Sequence, residues 1–154
     1  MSYLTAGQTA PNFTLPDQNN KDTELTELLK QGRVLLYFYP KAMTPGCTVQ
    51  ACGLRDVKAE LSSKGVIAVG ISTDAPAKLA KFAERDQLNF TLLSDIDHKV
   101  AEAFGVWGEK KFMGKVYDGL HRISFLLAQD GTIEKVFDAF KTKDHHQVVL
   151  DYLA

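Results

Sequence analysis

Two cysteines, Cys47 and Cys52, carry most of the chemistry that this sequence could perform. Cys47 closes the run Pro40-Lys41-Ala42-Met43-Thr44-Pro45-Gly46-Cys47, which follows an apolar stretch rich in aromatics. Thr44 suits a helix N-cap, because its hydroxyl can accept a hydrogen bond from a free amide of the first turn. Pro45 then fits the first helical position, where its missing N–H costs nothing. Cys47 therefore falls in the first turn, three residues past the cap. Unpaired amides and the positive end of the helix dipole favour an anion there. A thiol so placed is expected to supply thiolate, the nucleophilic form, at neutral pH. The plainer alternative is a buried cysteine acting as a small hydrophobe, and the capping residues and preceding strand weigh against it.

Cys52 lies five residues further on. In an unbroken helix that offset turns about 140° and sets the two Cα atoms roughly 8–9 Å apart. Disulfides generally need Cα separations below about 7 Å. The two thiols can therefore bond only if the first turns of the helix unwind. Gly53 lowers helix propensity at the point where unwinding would have to stop. Simple packing of Cys52 is the alternative.

Zinc is the competing reading of a cysteine pair, but this spacing lacks the Cys-x-x-Cys clip of common zinc sites. His145 and His146 are neighbours, so on a helix they point about 100° apart. His98 reads as a helix-start residue, and His121 and Arg122 read as facing opposite sides of one strand. Solvated or hydrogen-bonded roles are expected for all four histidines. Gly-x-Gly-x-x-Gly and phosphate-loop patterns are absent, as is a hydrolase elbow. Phe38, Tyr39, Trp107 and Phe112 have the character to line a pocket, although such residues more often build cores.

The elements that must hold this site can be read from periodicity. Arg33 to Tyr39 is a buried strand, preceded by a short helical stretch that ends at Gln31-Gly32. The helix opened by Thr44 runs to about Lys64 and is closed by Gly65, with Leu54, Val57 and Leu61 on one stripe. Val66 to Ser72 is a second buried strand. A helix from about Ala75 to Gln87 follows, with Asp74 as N-cap and Pro76 in its first turn. Phe90 to Leu93 reads as a short strand and His98 to Phe104 as a short helix. Arg122 to Ala128 and Thr132 to Phe137 form a hairpin about Gln129-Asp130-Gly131, and an amphipathic helix begins at Asp144. Alternating β and α elements, then a hairpin and a helix, give an α/β fold: a three-layer α/β/α sandwich on a central mixed sheet, in thioredoxin-like order.

Size and composition bound the function classes. The 154 residues suit one domain, 1–154, with a core that needs no staples. Net charge is -1, which gives no broad reason to bind nucleic acid or an anionic membrane. The N-terminal stretch lacks the pattern of a secretory signal, and the longest apolar run is too short for a membrane span. A cytoplasmic location is the expectation, where thiols stay reduced and cysteines are more often catalytic than structural.

Pro40-x-x-x-Thr44-x-x-Cys47 resembles the active-site signature of the peroxiredoxins. The longer string from Tyr37 to Thr48 resembles the peroxiredoxin Q, or bacterioferritin-comigratory, subfamily, as do Gly105 to Lys110 and Arg122 to Leu126. The resemblance runs from about Gly7 to the C-terminal helix. It implies a thioredoxin-like fold, Cys47 as peroxidatic cysteine and Cys52 as resolving cysteine. It also implies that Pro40 shields the pocket, Thr44 orients the peroxide and Arg122 stabilises the thiolate and developing charge. Substrates would be hydrogen peroxide and organic hydroperoxides, and the reductant thioredoxin. No metal, haem or flavin would be required, and a monomer would suffice because one chain supplies both cysteines. Gln50 departs from the subfamily, whose members often carry Glu there. A thiol–disulfide oxidoreductase usually places Cys-x-x-Cys at the helix start, unlike this chain. A redox sensor or holdase would call for an extra interaction segment, and none is seen.

Overall fold

A computed structural model describes residues 2–154; Met1, which the single-domain expectation included, lies outside them. The chain forms β1 (Thr14–Pro16), β2 (Asp22–Glu24), α1 (Leu25–Leu29), β3 (Arg33–Phe38), α2 (Pro45–Asp56), α3 (Lys58–Ser63) and β4 (Val66–Ser72). There follow α4 (Pro76–Asp86), β5 (Thr91–Ser94), α5 (Lys99–Ala103), β6 (Trp107–Phe112), β7 (Lys115–Leu120), β8 (Ser124–Leu127), β9 (Ile133–Phe137) and α6 (His145–Leu153).

The central sheet has the order β5-β4-β3-β8-β9. β3 pairs parallel with β4 and antiparallel with β8, so the sheet is mixed and β3 lies at its centre. Burial on both faces explains why β3 reads as a continuous apolar run rather than an alternating one. Its side chains still divide by the two-residue period. Val34, Leu36 and Phe38 join one buried cluster, with Leu25 and Leu28 of α1 and Ala101 of α5. Leu35, Tyr37 and Tyr39 join the other, with Cys47, Ala51 and Leu54 of α2, Phe82 of α4 and Val149 of α6. Helices on both faces of a mixed sheet give the expected α/β/α sandwich, and Cys47 belongs to the α2/α4/α6 side.

Several expected boundaries move, each for a local reason. The single helix from Thr44 to Lys64 is two helices, because Val57 leaves the helical region at φ −107, ψ 17. The N-cap of α4 is Ala75, not Asp74. The Asp74 carboxylate instead accepts from the Ala42 amide at 2.7 Å and the Ser72 hydroxyl at 2.8 Å. The strand expected from Arg122 begins at Ser124, so His121 and Arg122 lie in the loop between β7 and β8 rather than on a strand. The β6–β7 ribbon is absent from the sequence reading. Its turn puts Met113 and Gly114 at φ 51 and φ 78 without the Asn-Gly or Asp-Gly pair that would have announced it. Among the described residues no helix is long and apolar enough to cross a membrane.

Candidate active site

β3 delivers the chain to the top of the sheet, and Pro40 to Thr44 cross to the start of α2. This loop is tied down by the bond from the Ala42 amide to Asp74, whose own strand-end position is fixed by Ser72 and Lys78. Met43 is left-handed, at φ 66, immediately before the helix start. A non-glycine residue held there stores local strain, which persists only where the surroundings over-determine the backbone.

Thr44 occupies the N-cap position in extended conformation, with Pro45 at the start of the helix, as expected. Its hydroxyl does not cap the helix. It donates instead to the Lys41 carbonyl at 2.8 Å, closing the loop on itself. With its proton so committed, Thr44 Oγ1 presents only acceptor lone pairs to any incoming group. The first-turn amides of Gly46 and Cys47 are also left without a capping side chain, so the positive pole of α2 is not quenched from within.

Cys47 sits in that first turn, 2% exposed. Arg122 reaches it from the β7–β8 loop, with Nη2 at 3.4 Å from Sγ. Nη1 of the same guanidinium donates to Gln50 Oε1 at 2.6 Å. The planar fork of arginine thus spans two points one turn apart on α2, which a lysine could not do. Gln50 is fully buried, and its Nε2 has no hydrogen-bond partner among the described residues. An unpaired buried amide is costly, so Gln50 is held there by the bond to Arg122. Sequence reasoning noted Gln50 only as a departure, and it missed Asp74 as the loop anchor. The polar residue one turn after Cys47 was the signal for the first; nothing in the sequence marked the second.

Pro40 is half-buried at the end of β3. Cys52 is half-buried on the same unbroken helix as Cys47, and both thiols are free. Burial pushes the Cys52 thiol up, with Asp86 and Asp56 adding to the effect and Arg55 and Arg85 opposing it. Gly53, beside it, is required by a close approach of α6: a Cβ there would lie 2.5 Å from Nδ1 of His146.

The remaining candidates do not gather here. Phe38 and Tyr39 are core residues, Trp107 stacks on His98 at 4.0 Å, and Phe112 is exposed on the ribbon. His145 is buried, with Nε2 at 2.8 Å from the Ser124 hydroxyl, and burial lowers its pKa to about 3. His121 turns to the ribbon, its Nε2 at 3.0 Å from the Glu109 carbonyl. Among the described residues no group of three or more His, Cys, Asp or Glu is arranged to hold a metal ion. A cleft of roughly 330 Å³ lies between α3 and the β4–β5 edge, lined by Leu54, Leu61 and Phe90 but by none of the site residues.

A buried thiol at a helix N-terminus with a guanidinium on its sulfur is suited to nucleophilic redox chemistry. Comparison with known proteins agrees. Residues 6–136 match the family described as AhpC/TSA. The chain is 65% identical to peroxiredoxin Bcp of Escherichia coli strain K12 over 99% of its own length and 97% of that protein's. It is 62% identical to a putative peroxiredoxin bcp of Haemophilus influenzae, over 99% of this chain and 98% of that one. The crystal structure of peroxidoxin BcpB from Mycobacterium tuberculosis superposes with a TM-score of 0.88 at 39% identity, covering 98% of this chain and 97% of that one. Xanthomonas campestris peroxiredoxin Q gives a TM-score of 0.84 at 30% identity, over 92% of this chain and 89% of that one. The fold, the thiol site and this likeness along nearly the whole chain converge, and the chain belongs to the AhpC/TSA family, among the peroxiredoxins of the Bcp and peroxiredoxin Q type.

Proposed function

We propose that this chain is a thioredoxin-dependent thiol peroxidase for hydrogen peroxide and organic hydroperoxides, acting as a single-domain cytoplasmic monomer in antioxidant defence. The observation that carries the reading is the 3.4 Å approach of Arg122 Nη2 to the buried Cys47 sulfur. A relative in Xanthomonas campestris, the bacterioferritin comigratory protein, was studied for alkyl peroxide reduction, which supports including organic hydroperoxides.

In the first step the Cys47 thiolate attacks one peroxide oxygen. An S–O bond forms, the O–O bond breaks, and the leaving hydroxide or alkoxide takes up a proton to depart as water or alcohol. Cys47 is left as sulfenic acid, two electrons poorer. Thr44 Oγ1 accepts from the peroxide O–H, since its own proton is on Lys41. Arg122 donates towards the sulfur and the oxygens, where negative charge moves during the reaction, and Gln50 keeps its fork in place. Pro40 shields the pocket from bulk water.

In the second step the first turns of α2 unwind and the Cys52 sulfur attacks Cys47. An S–S bond forms, the S–O bond breaks, and the hydroxide leaves with the proton of Cys52 as water. The dithiol of thioredoxin then exchanges with the disulfide and restores both thiols. No metal, haem, flavin or nucleic acid takes part.

The test is peroxide consumption coupled to thioredoxin, its reductase and NADPH, with wild type, Cys47→Ser and Cys52→Ser. Wild type should turn over, Cys47→Ser should be inert, and Cys52→Ser should react once and then fail to recycle through thioredoxin. Full activity in Cys47→Ser would overturn the assignment. Unimpaired recycling in Cys52→Ser would overturn only the resolving role.

A further inference from the structure

The β6–β7 ribbon carries three lysines, and one of them behaves differently from the rest. Lys111 and Lys115 are exposed, whereas Lys110 is half-buried. Its Nζ donates to the Leu120 carbonyl at 2.7 Å, two residues before Arg122. Among the described residues Lys110 has no carboxylate within ion-pair distance, so this half-buried cation has a backbone carbonyl, not a counter-ion, as its direct partner. Such an arrangement costs stability and points to a use.

The ribbon is shaped for it. Lys110 stands opposite Tyr117, and Gly108 opposite Gly119, so these four residues share one ribbon face. The glycine pair leaves that face bare at its base. A Cβ on Gly119 would lie 2.9 Å from Lys110 Cδ and 3.2 Å from the Tyr117 ring. The lysine stem can therefore fold flat towards the β7–β8 loop only because residue 119 lacks a side chain. Burial and then the neighbouring Arg122 push the Lys110 amine below the ordinary lysine range, while negative charge on the Cys47 sulfur pulls it back up. The tether to Leu120, two residues before Arg122, sets the Lys110 amine beside the loop that carries the guanidinium to the Cys47 sulfur.

We infer that Lys110 is a positioning residue of the peroxidatic site: tethered to the Leu120 carbonyl, it supplies a second fixed positive charge that favours the anionic Cys47 sulfur and the departing oxygen. This rests on the proposed peroxidase reading and extends it to a residue outside the signature around Cys47. Arg122 acts by contact, with directed donors. Lys110 acts through the field, and a field term should be tolerant of lysine-to-arginine exchange.

The test follows the first oxidation of Cys47 by hydrogen peroxide, as thiol loss in a single turnover across pH, in Lys110→Met, Lys110→Arg, Gly119→Ala and Lys111→Met. Lys110→Met should slow oxidation several-fold below neutral pH and move the acid limb of the pH–rate profile up by about half a unit, the scale of one charge at moderate screening. Lys110→Arg should recover most of the loss. Gly119→Ala, which keeps the charge but displaces its stem, should fall between wild type and Lys110→Met. Lys111→Met, an exposed charge on the opposite ribbon face, should match wild type. Unchanged rates and limbs in both Lys110→Met and Gly119→Ala would overturn the inference, as would an equal shift in Lys111→Met. Wild type inert to peroxide would overturn the peroxidase reading itself, and this inference with it.

Discussion

Replacing Gly53 by alanine sets two effects against each other at the most consequential point of α2. In a helix interior, Gly to Ala ordinarily stabilises by about 0.5–1 kcal/mol, because glycine gives up more backbone freedom on folding. Here the new Cβ would lie 2.5 Å from Nδ1 and 3.1 Å from Cγ of His146. Cγ is near the base of the ring, so the imidazole cannot simply bend away at its tip, and α6 must shift or the rotamer must change. Overpacking of that kind costs about 1–3 kcal/mol. The clash wins, and Gly53→Ala is expected to destabilise the protein by about 1 kcal/mol. In a His146→Ala background the obstacle is gone, and the same substitution should stabilise by about 0.5–1 kcal/mol. The four proteins form a double-mutant cycle whose interaction energy, read by urea unfolding, is expected near 2 kcal/mol. Stabilisation of similar size by Gly53→Ala in both backgrounds would refute the seating of His146 on Gly53. The Gly53→Ala/His146→Ala protein should also form its Cys47–Cys52 disulfide about 2- to 5-fold more slowly than His146→Ala, because a firmer helix opens less often.

Two further substitutions probe the charges around the site. Arg122→Met removes both the contact to sulfur and the partner of Gln50 Oε1. A charge-assisted bond of about 1.5–3 kcal/mol predicts a 10- to 150-fold slower single-turnover oxidation, measured by thiol loss, and a rate within threefold of wild type would contradict it. His145 is held neutral by burial, with a pKa of about 3 against an ordinary 6.5. The unfolded chain therefore binds the extra proton first as pH falls. The contribution of His145 is fully present above about pH 6.5 and is lost towards pH 3, at up to about 1.4 kcal/mol per pH unit. Asp95, raised by burial, works in the opposite direction. The diagnostic is thus the difference between wild type and His145→Gln in chemical denaturation at pH 7, 5.5 and 4.5, and parallel curves would refute it.

Much of this structure could be read from residue types, and the exceptions share a cause. β3, β4 and the β8–β9 hairpin announced themselves because buried strands and Asp-Gly turns leave local marks. The helix opened by Thr44-Pro45 was legible for the same reason. Its interruption at Val57 was not, because the stripe Leu54, Val57 and Leu61 continues through the break and the periodicity is blind to one deviant backbone angle. The β6–β7 ribbon escaped because its strands carry Gly, Lys, Glu and Asp in place of an alternating apolar face. At the candidate site, Cys47 and Thr44 lie within one short helix start, so local reasoning reaches them, whereas Pro40 entered by resemblance. Arg122 came only through resemblance, and its lodging between Cys47 and Gln50 depends on β8 pairing beside β3. Asp74 looked like a helix cap because its tie to Ala42 spans 32 positions of sequence. Lys110 required Gly119 on the neighbouring strand to make room for it.

Cys47 and Cys52 lie on one unbroken helix, and their thiols can be joined only when that helix opens. Amide hydrogen exchange across α2, comparing the fully reduced protein with protein treated with one equivalent of hydrogen peroxide, tests this most directly. Amides from Thr48 to Gly53 should lose their protection on oxidation while those of the central strand β3 keep theirs. The mass should fall by about two units as the disulfide forms. A Cys47–Cys52 disulfide, proved by that mass and by peptide mapping, with protection across α2 unchanged would contradict it.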